Sequence, residues 1–153
     1  VPSRSAMLTG ELMPPPGKKI FSENFEQGPG TFKGAEVVEG ALAVPPSGVE
    51  IWRAYTTTVK DSTVLRFRAK STADVDQVQI LIWSDKLKDN ARFSIQGLKK
   101  GQWTPVELRL VEMCAGWSQD GPSLDGSETN NFKLLFNGEK DARILLDDVE
   151  VFE

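Results

Sequence analysis

Apolar and polar residues alternate with a period of two through the middle of the chain, which predicts half-buried β-strands. In residues 63–70, Leu65, Phe67 and Ala69 share one face while Arg66, Arg68 and Lys70 share the other. In 77–83, Val78, Ile80 and Ile82 oppose Gln77, Gln79, Leu81 and Trp83. The scheme repeats in 92–96 with Phe93 and Ile95 inward, in 106–110 with Val106, Leu108 and Leu110 inward, and again in 132–136. Shorter strands are expected at 37–44, with Glu39-Gly40 as a turn inside it, and at 49–59, after the Pro45-Pro46-Ser47-Gly48 turn. The connections 85–90 and 97–102 are short and polar or Gly-containing, as antiparallel neighbours require. No stretch carries a helical stripe. The expected class is therefore all-β, a two-sheet antiparallel sandwich of about eight to ten strands arranged as a jelly roll.

The two ends of this pattern share an unusual feature. The closing stretch, Ala142 to Glu153, is dense in Ile, Leu, Val and Phe, yet Asp147 and Asp148 interrupt it. A carboxylate in such a run stays charged cheaply only if it faces water, is hydrogen-bonded or meets a cation. Near the start, Phe21-Ser22-Glu23-Asn24-Phe25-Glu26-Gln27-Gly28 carries the same mixture of acids and apolar residues before a Gly turn. These two stretches are expected to lie side by side and close the sandwich.

Residues 1–19, with Pro14-Pro15-Pro16-Gly17 and no sustained apolar period, read as a Pro-rich linker or arm, and 20–153 as one domain. A chain of 153 residues needs no second core. Its 39% apolar and 26% charged residues are ordinary for a soluble globular protein, and no apolar run approaches the roughly 20 residues of a membrane span. A net charge of −4 argues against a domain that tracks nucleic-acid backbones. One cysteine, Cys114, excludes an intrachain disulfide and, flanked by apolar residues, is expected to be a buried, inert thiol. The absence of histidine removes imidazole bases, His-containing triads and His–Cys zinc sites together.

Asn24-Phe25-Glu26 with Gly28, Leu65-Arg66-Phe67, Gly101-Gln102-Trp103-Thr104 before Val106-Glu107-Leu108, and Leu146-Asp147-Asp148-Val149 together resemble the β-jelly-roll carbohydrate-binding modules, the galactose-binding-like sandwiches often joined to polysaccharide-degrading enzymes. The laminin-G and concanavalin-like lectin sandwiches share a similar start and finish and stand as the rival resemblance. The first resemblance implies an extracellular or cell-surface module, attached to a larger multidomain protein, that binds a polysaccharide or oligosaccharide without catalysis. It also implies a structural calcium ion held by Glu26 and Asp147, with Glu23 and Asp148 as further candidates and carbonyls near Glu39 assisting. Oxygen-only ligation suits calcium, which takes six to eight oxygens. Simple solvation of these acids at strand ends is the alternative.

Aromatic platforms that stack on sugar rings are a usual device of glycan recognition, so the tryptophans are the first candidates. Trp83 stands in phase with Gln77 and Gln79 on the polar face of its strand, where it either meets a ligand or covers the sheet edge. Trp52 has no fixed phase, Trp117 lies on the long segment 116–131, expected to be a structureless loop, where it could close over a groove, and Trp103 reads as a structural corner. The outward arginines Arg66, Arg68, Arg92 and Arg109 suggest a basic sheet surface fit for an acidic polysaccharide, or a solvated face paired with Glu107 and other acids. The expected ligand surface thus comprises Trp83, Gln79, Arg68 and Arg92, rimmed by Trp52 and Trp117. The alternatives are a polysaccharide-active hydrolase or lyase on a similar sandwich, for which no carboxylate pair is singled out, and a structural or adhesive domain.

Overall fold

Every second residue of the central strands is buried, and the faces are those the alternation predicts. In the computed structural model, which describes residues 17–116 and 120–153, thirteen strands are found among the described residues: β1 (Lys19–Glu23), β2 (Glu36–Val38), β3 (Ala41–Val44), β4 (Val49–Ile51), β5 (Thr57–Thr58), β6 (Val64–Ser71), β7 (Asp76–Ser84), β8 (Asp89–Ile95), β9 (Thr104–Arg109), β10 (Cys114–Ala115), β11 (Glu128–Thr129), β12 (Phe132–Asn137) and β13 (Ile144–Phe152). Val78, Ile80 and Ile82 of β7, Ala91, Phe93 and Ile95 of β8, and Phe132, Leu134 and Phe136 of β12 all point into one core. Leu65, Phe67 and Ala69 of β6 and Val106 and Leu108 of β9 meet them from the other side. All strand pairs are antiparallel.

The first sheet has the order β2-β3-β13-β6-β9, with β1 added beside β13, and the second has the order β10-β8-β7-β12-β4. Setting aside β1, β2, β10 and the small β5–β11 pair, the chain alternates between sheets as β3, β4, β6, β7–β8, β9, β12, β13. The resulting orders β3-β13-β6-β9 and β4-β12-β7-β8 are those of a jelly roll. Gly48 makes the crossing from β3 to β4 possible: it sits at φ +95°, and a Cβ there would collide with the Leu134 carbonyl.

The two ends meet as expected. β1 pairs with β13 through Phe21↔Val151, Ser22↔Glu150 and Glu23↔Val149. β13 therefore has β6 along one side, and along the other β3 for residues 144–146 and β1 for residues 149–152. Between these two partners the register on β6 shifts, from Asp147↔Arg68 to Glu150↔Arg66, which is a β-bulge. Asp148 adopts φ +50° there, and its N–H donates to Asp147 Oδ1 at 2.8 Å in place of a ladder bond. The bulge is the physical reason two carboxylates interrupt an apolar strand. An aromatic cluster fastens the same end: Phe32 packs on Phe25 at 5.3 Å and on Phe132 at 5.7 Å between ring centres, and Phe21 lies 6.1 Å from Tyr55.

Four local expectations need correction. Residues 97–102 do not join neighbours; they carry the chain from β8 in the second sheet to β9 in the first, because the jelly roll separates them. The strand expected over 49–59 is broken after Ile51, where Arg53 turns through φ +57°, and only Thr57–Thr58 resumes pairing. Strand character ends at Arg109, and Leu110–Glu112 forms one turn of 3-10 helix. The segment 116–131, expected to be a structureless loop, is held where described. Ala115 N–H donates to Pro122 O, Leu124 N–H to Met113 O and Val59 N–H to Ser127 O, and Leu124 is fully buried. The buried leucine and these backbone bonds together anchor what polarity alone reads as loose. The linker expected over 1–19 lies outside the described residues up to 16, and Lys19 already belongs to β1.

Candidate functional site

At one end of the second sheet, Trp52, Arg53, Trp83, Asp85, Glu128, Thr129, Asn130 and Asn131 line a cleft of about 260 Å³. Trp52 follows the last residue of β4 and is 51% exposed, one of two large apolar side chains so exposed among the described residues. Neighbouring Arg53 adopts a left-handed conformation, uncommon outside glycine and a cost the surrounding structure must bear. Trp83 projects from the outer face of β7 and is half-buried. Its indole Nε1–H donates to Asp85 Oδ1 at 2.9 Å, so the ring plane is held rather than free to swing.

The backbone beneath Trp83 is held as firmly. Asn131 Oδ1 accepts the Trp83 N–H at 3.0 Å, and Asn131 Nδ2 donates to the Trp83 carbonyl at 3.3 Å. The side-chain amide thus completes the β7–β12 ladder one step beyond Lys133↔Leu81. Asn131 is itself fixed, because its carbonyl accepts the Tyr55 hydroxyl at 2.9 Å. Tyr55 is buried, and burial pushes its phenol well above the ordinary value, so it acts as a neutral donor, with a smaller opposing contribution from its contact with Thr129. A buried Ser84–Ser127 hydroxyl contact at 3.0 Å and the β5–β11 pair hold the rim.

The ligand residues expected from the sequence are divided by the fold. Trp52 and Trp83 are brought together. Gln79 and Arg92 share the outer face of the second sheet with Trp83, in register through Leu81↔Arg92 and Gln79↔Ser94, yet neither lines this cleft. Arg92 Nη1 is occupied by the carbonyls of Asn90 and Gly116 at 3.1 and 3.0 Å, where it ties β10 to β8. Arg68 belongs to β6 in the first sheet and so faces the opposite side of the sandwich. The single basic surface therefore does not form: Arg66, Arg68 and Arg109 lie on one sheet and Arg92 on the other. Arg66 is moreover buried and paired across the strands with Glu107 at 3.0 Å. Arg109 donates to the Asp61 carbonyl, and Arg68 and Lys70 lie over the Trp103 ring at 5.1 and 5.2 Å. Trp117 lies outside the described residues.

Of the expected calcium ligands, Asp147 lies within reach of the Glu26 charge. Burial raises the Asp147 carboxyl above its ordinary value; the Asp148 N–H bond and Arg68 oppose this, and the charges of Asp148 and Glu26 add to it. Glu23 is turned inward to accept the Phe25 N–H at 3.0 Å, and Asp148 pairs with Arg68 at 3.4 Å. Among the described residues no group of three or more His, Cys, Asp or Glu side chains is placed to hold a metal. A cation held there by Glu26 and Asp147, with or without Glu23 and Asp148, would need carbonyl oxygens to complete its set.

Sequence reasoning missed Asn131, Tyr55 and Glu128 as parts of the site. The one signal was Asn130-Asn131, two amides opening an apolar strand. No protein-family model matches the chain, and no curated protein matches it by sequence. Among solved structures it is similar to the CBM22-1 xylan-binding domain of Xyn10C from Paenibacillus barcinonensis, at 13% identity and a TM-score of 0.49, over 89% of this chain and 94% of that one. It is also similar to the CBM22-1–GH10 modules of endo-1,4-β-D-xylanase 10B from Clostridium thermocellum, complexed with xylohexaose, at 9% identity and a TM-score of 0.43, over 88% of this chain and 28% of that one.

Proposed function

We propose that the chain is a non-catalytic carbohydrate-binding module that holds a polysaccharide in the cleft between Trp52 and Trp83. The observation that carries this reading is the convergence there of an exposed tryptophan and a second one locked by its indole N–H, ringed by Arg53, Asp85, Glu128 and Asn130. Indole faces stack on the C–H surfaces of pyranose rings, while planar amide, carboxylate and guanidinium groups hydrogen-bond to hydroxyls. Asp85 orients Trp83 rather than standing free for proton transfer, which favours binding over hydrolysis. An open cleft of this size supports modest affinity.

Titration with xylohexaose, cellohexaose, mannohexaose and trigalacturonate, followed by tryptophan fluorescence, tests the reading. A saturable tryptophan-fluorescence change with at least one of them, lost in Trp52→Ala with the melting temperature unchanged, is expected; an unaltered fluorescence titration in that variant would refute the site. A calcium ion held by Glu26, Asp147 and neighbouring carbonyls, and placement outside the cell as part of a larger polysaccharide-active protein, belong to the same proposal through the resemblance of the two chain ends. Calcium would bridge the junction of β1, β3 and β13 and stabilise the fold without doing chemistry. Its signature is a melting temperature that rises with added calcium, falls with chelator, and loses both responses in Asp147→Asn.

A further inference from the structure

The outer face of the first sheet carries a second cleft, of about 490 Å³, which the Trp52–Trp83 reading does not use. It is lined by Lys19, Ser22 and Glu23 of β1, Asn24, Arg66 and Arg68 of β6, and Asp148 and Glu150 of β13, with backbone of Phe67 and Val149 between them. The fold explains the hollow. β1 ends at Glu23 while β3 has already left β13 at Leu146, and the Asp147–Asp148 bulge bends β13 where it changes partner.

We infer that this cleft is a second glycan site, taking an uncharged, hydroxyl-rich sugar through its vicinal hydroxyl pairs; the inference rests on the carbohydrate-binding reading above. The charge inventory selects the ligand class. The cations of the lining, Lys19, Arg66 and Arg68, are each paired with a carboxylate, Glu150, Glu107 and Asp148 respectively. The cleft thus offers no unbalanced positive charge to an acidic sugar. Lys19–Glu150 at 2.7 Å and Arg68–Asp148 at 3.4 Å each form part of its wall, with side chains 28–49% exposed. Paired carboxylates and guanidinium groups are held in place before a ligand arrives, yet keep unused lone pairs and N–H groups. Two adjacent hydroxyls match such a wall as donor to the carboxylate and acceptor from the cation. Pre-orientation lowers the ordering cost of binding.

The test is NMR titration of the Trp52→Ala protein, in which the first cleft is removed, with xylohexaose, cellohexaose, mannohexaose and, as the charged counterpart, trigalacturonate. Saturable shifts of the Ser22, Arg68 and Glu150 amides with a neutral oligosaccharide are expected, with an affinity changed less than about twofold by added salt, since no counterions are released. Arg68→Ala should weaken it at least about tenfold, and Ser22→Trp, which fills the cleft while leaving both ion pairs intact, should abolish it. Shifts with trigalacturonate alone, or none with any of the four, would overturn the second site. Because the Trp52-dependent site is absent from that protein, either result leaves the first reading to be judged on the unmodified chain.

Discussion

Asn131 brackets Trp83: its side-chain carbonyl accepts the Trp83 N–H and its amide donates to the Trp83 carbonyl, at 3.0 and 3.3 Å. One side chain thus satisfies both backbone groups of the residue that forms the cleft wall. Replacing it with Ala strands two polar groups at the end of β7, at a cost of about 1–3 kcal/mol. The melting temperature should drop by about 2–4 °C per kcal/mol. Asn131→Asp keeps the acceptor and loses the donor, so the Trp83 amide should stay protected in hydrogen exchange while stability falls. Equal loss of amide protection in both variants would show that the bracket does not hold Trp83.

The Arg66–Glu107 pair predicts an asymmetric response. Arg66 is 6% exposed at its side chain, is bound to Glu107 Oε1 through both Nε and Nη2, and lies 5.5 Å over the Phe152 ring. Glu107→Ala removes the counter-charge of a buried guanidinium and should cost about 3 kcal/mol. The double variant Arg66→Met, Glu107→Leu should recover most of that loss, measured by denaturant unfolding. Additive losses in the double variant would contradict this account.

Asp147 gives the pH dependence a defined sign. Its folded carboxyl is raised above the unfolded value, so the folded state binds the proton more tightly. The associated stability is fully present below the unfolded pKa and is lost as pH rises through the folded one. In chelator, Asp147→Asn should therefore be more stable than the natural chain near about pH 7 and indistinguishable from it at about pH 3. A difference that is constant with pH would exclude titration of Asp147 as the cause.

The bulge can be tested through Asp148, which sits at φ +50°. Valine is strained in that conformation, so Asp148→Val should cost about 1–2 kcal/mol. Asp148→Gly relieves the strain and gives up only an exposed ion pair with Arg68 at 3.4 Å, so it should change stability by less than about 1 kcal/mol. Equal effects of the two substitutions, read from thermal melts, would mean that backbone conformation is not what the position demands.

Much of this architecture is legible in the chain. The inward sets of β6, β7, β8, β9 and β12 follow from alternation, and the contact between the two ends follows from matched acidic–apolar stretches. The site was half legible. Trp83 stands out because its phase forbids burial among Val78, Ile80 and Ile82, whereas Asn131 looks like any polar residue until the jelly roll sets it opposite Trp83. Arg68 and Arg92 show the converse: identical in phase and chemistry, they belong to opposite sheets.

The amino-acid order by itself determined which residues of each strand face inward, because the period of two is a local property of an extended backbone. Only the tertiary structure decided which sheet each strand joins, and so that Trp52 meets Trp83 while Arg68 does not. Sheet membership depends on crossings such as 97–102 and on the bulge at Asp147–Asp148, where distant strands compete for partners and the whole core settles the outcome.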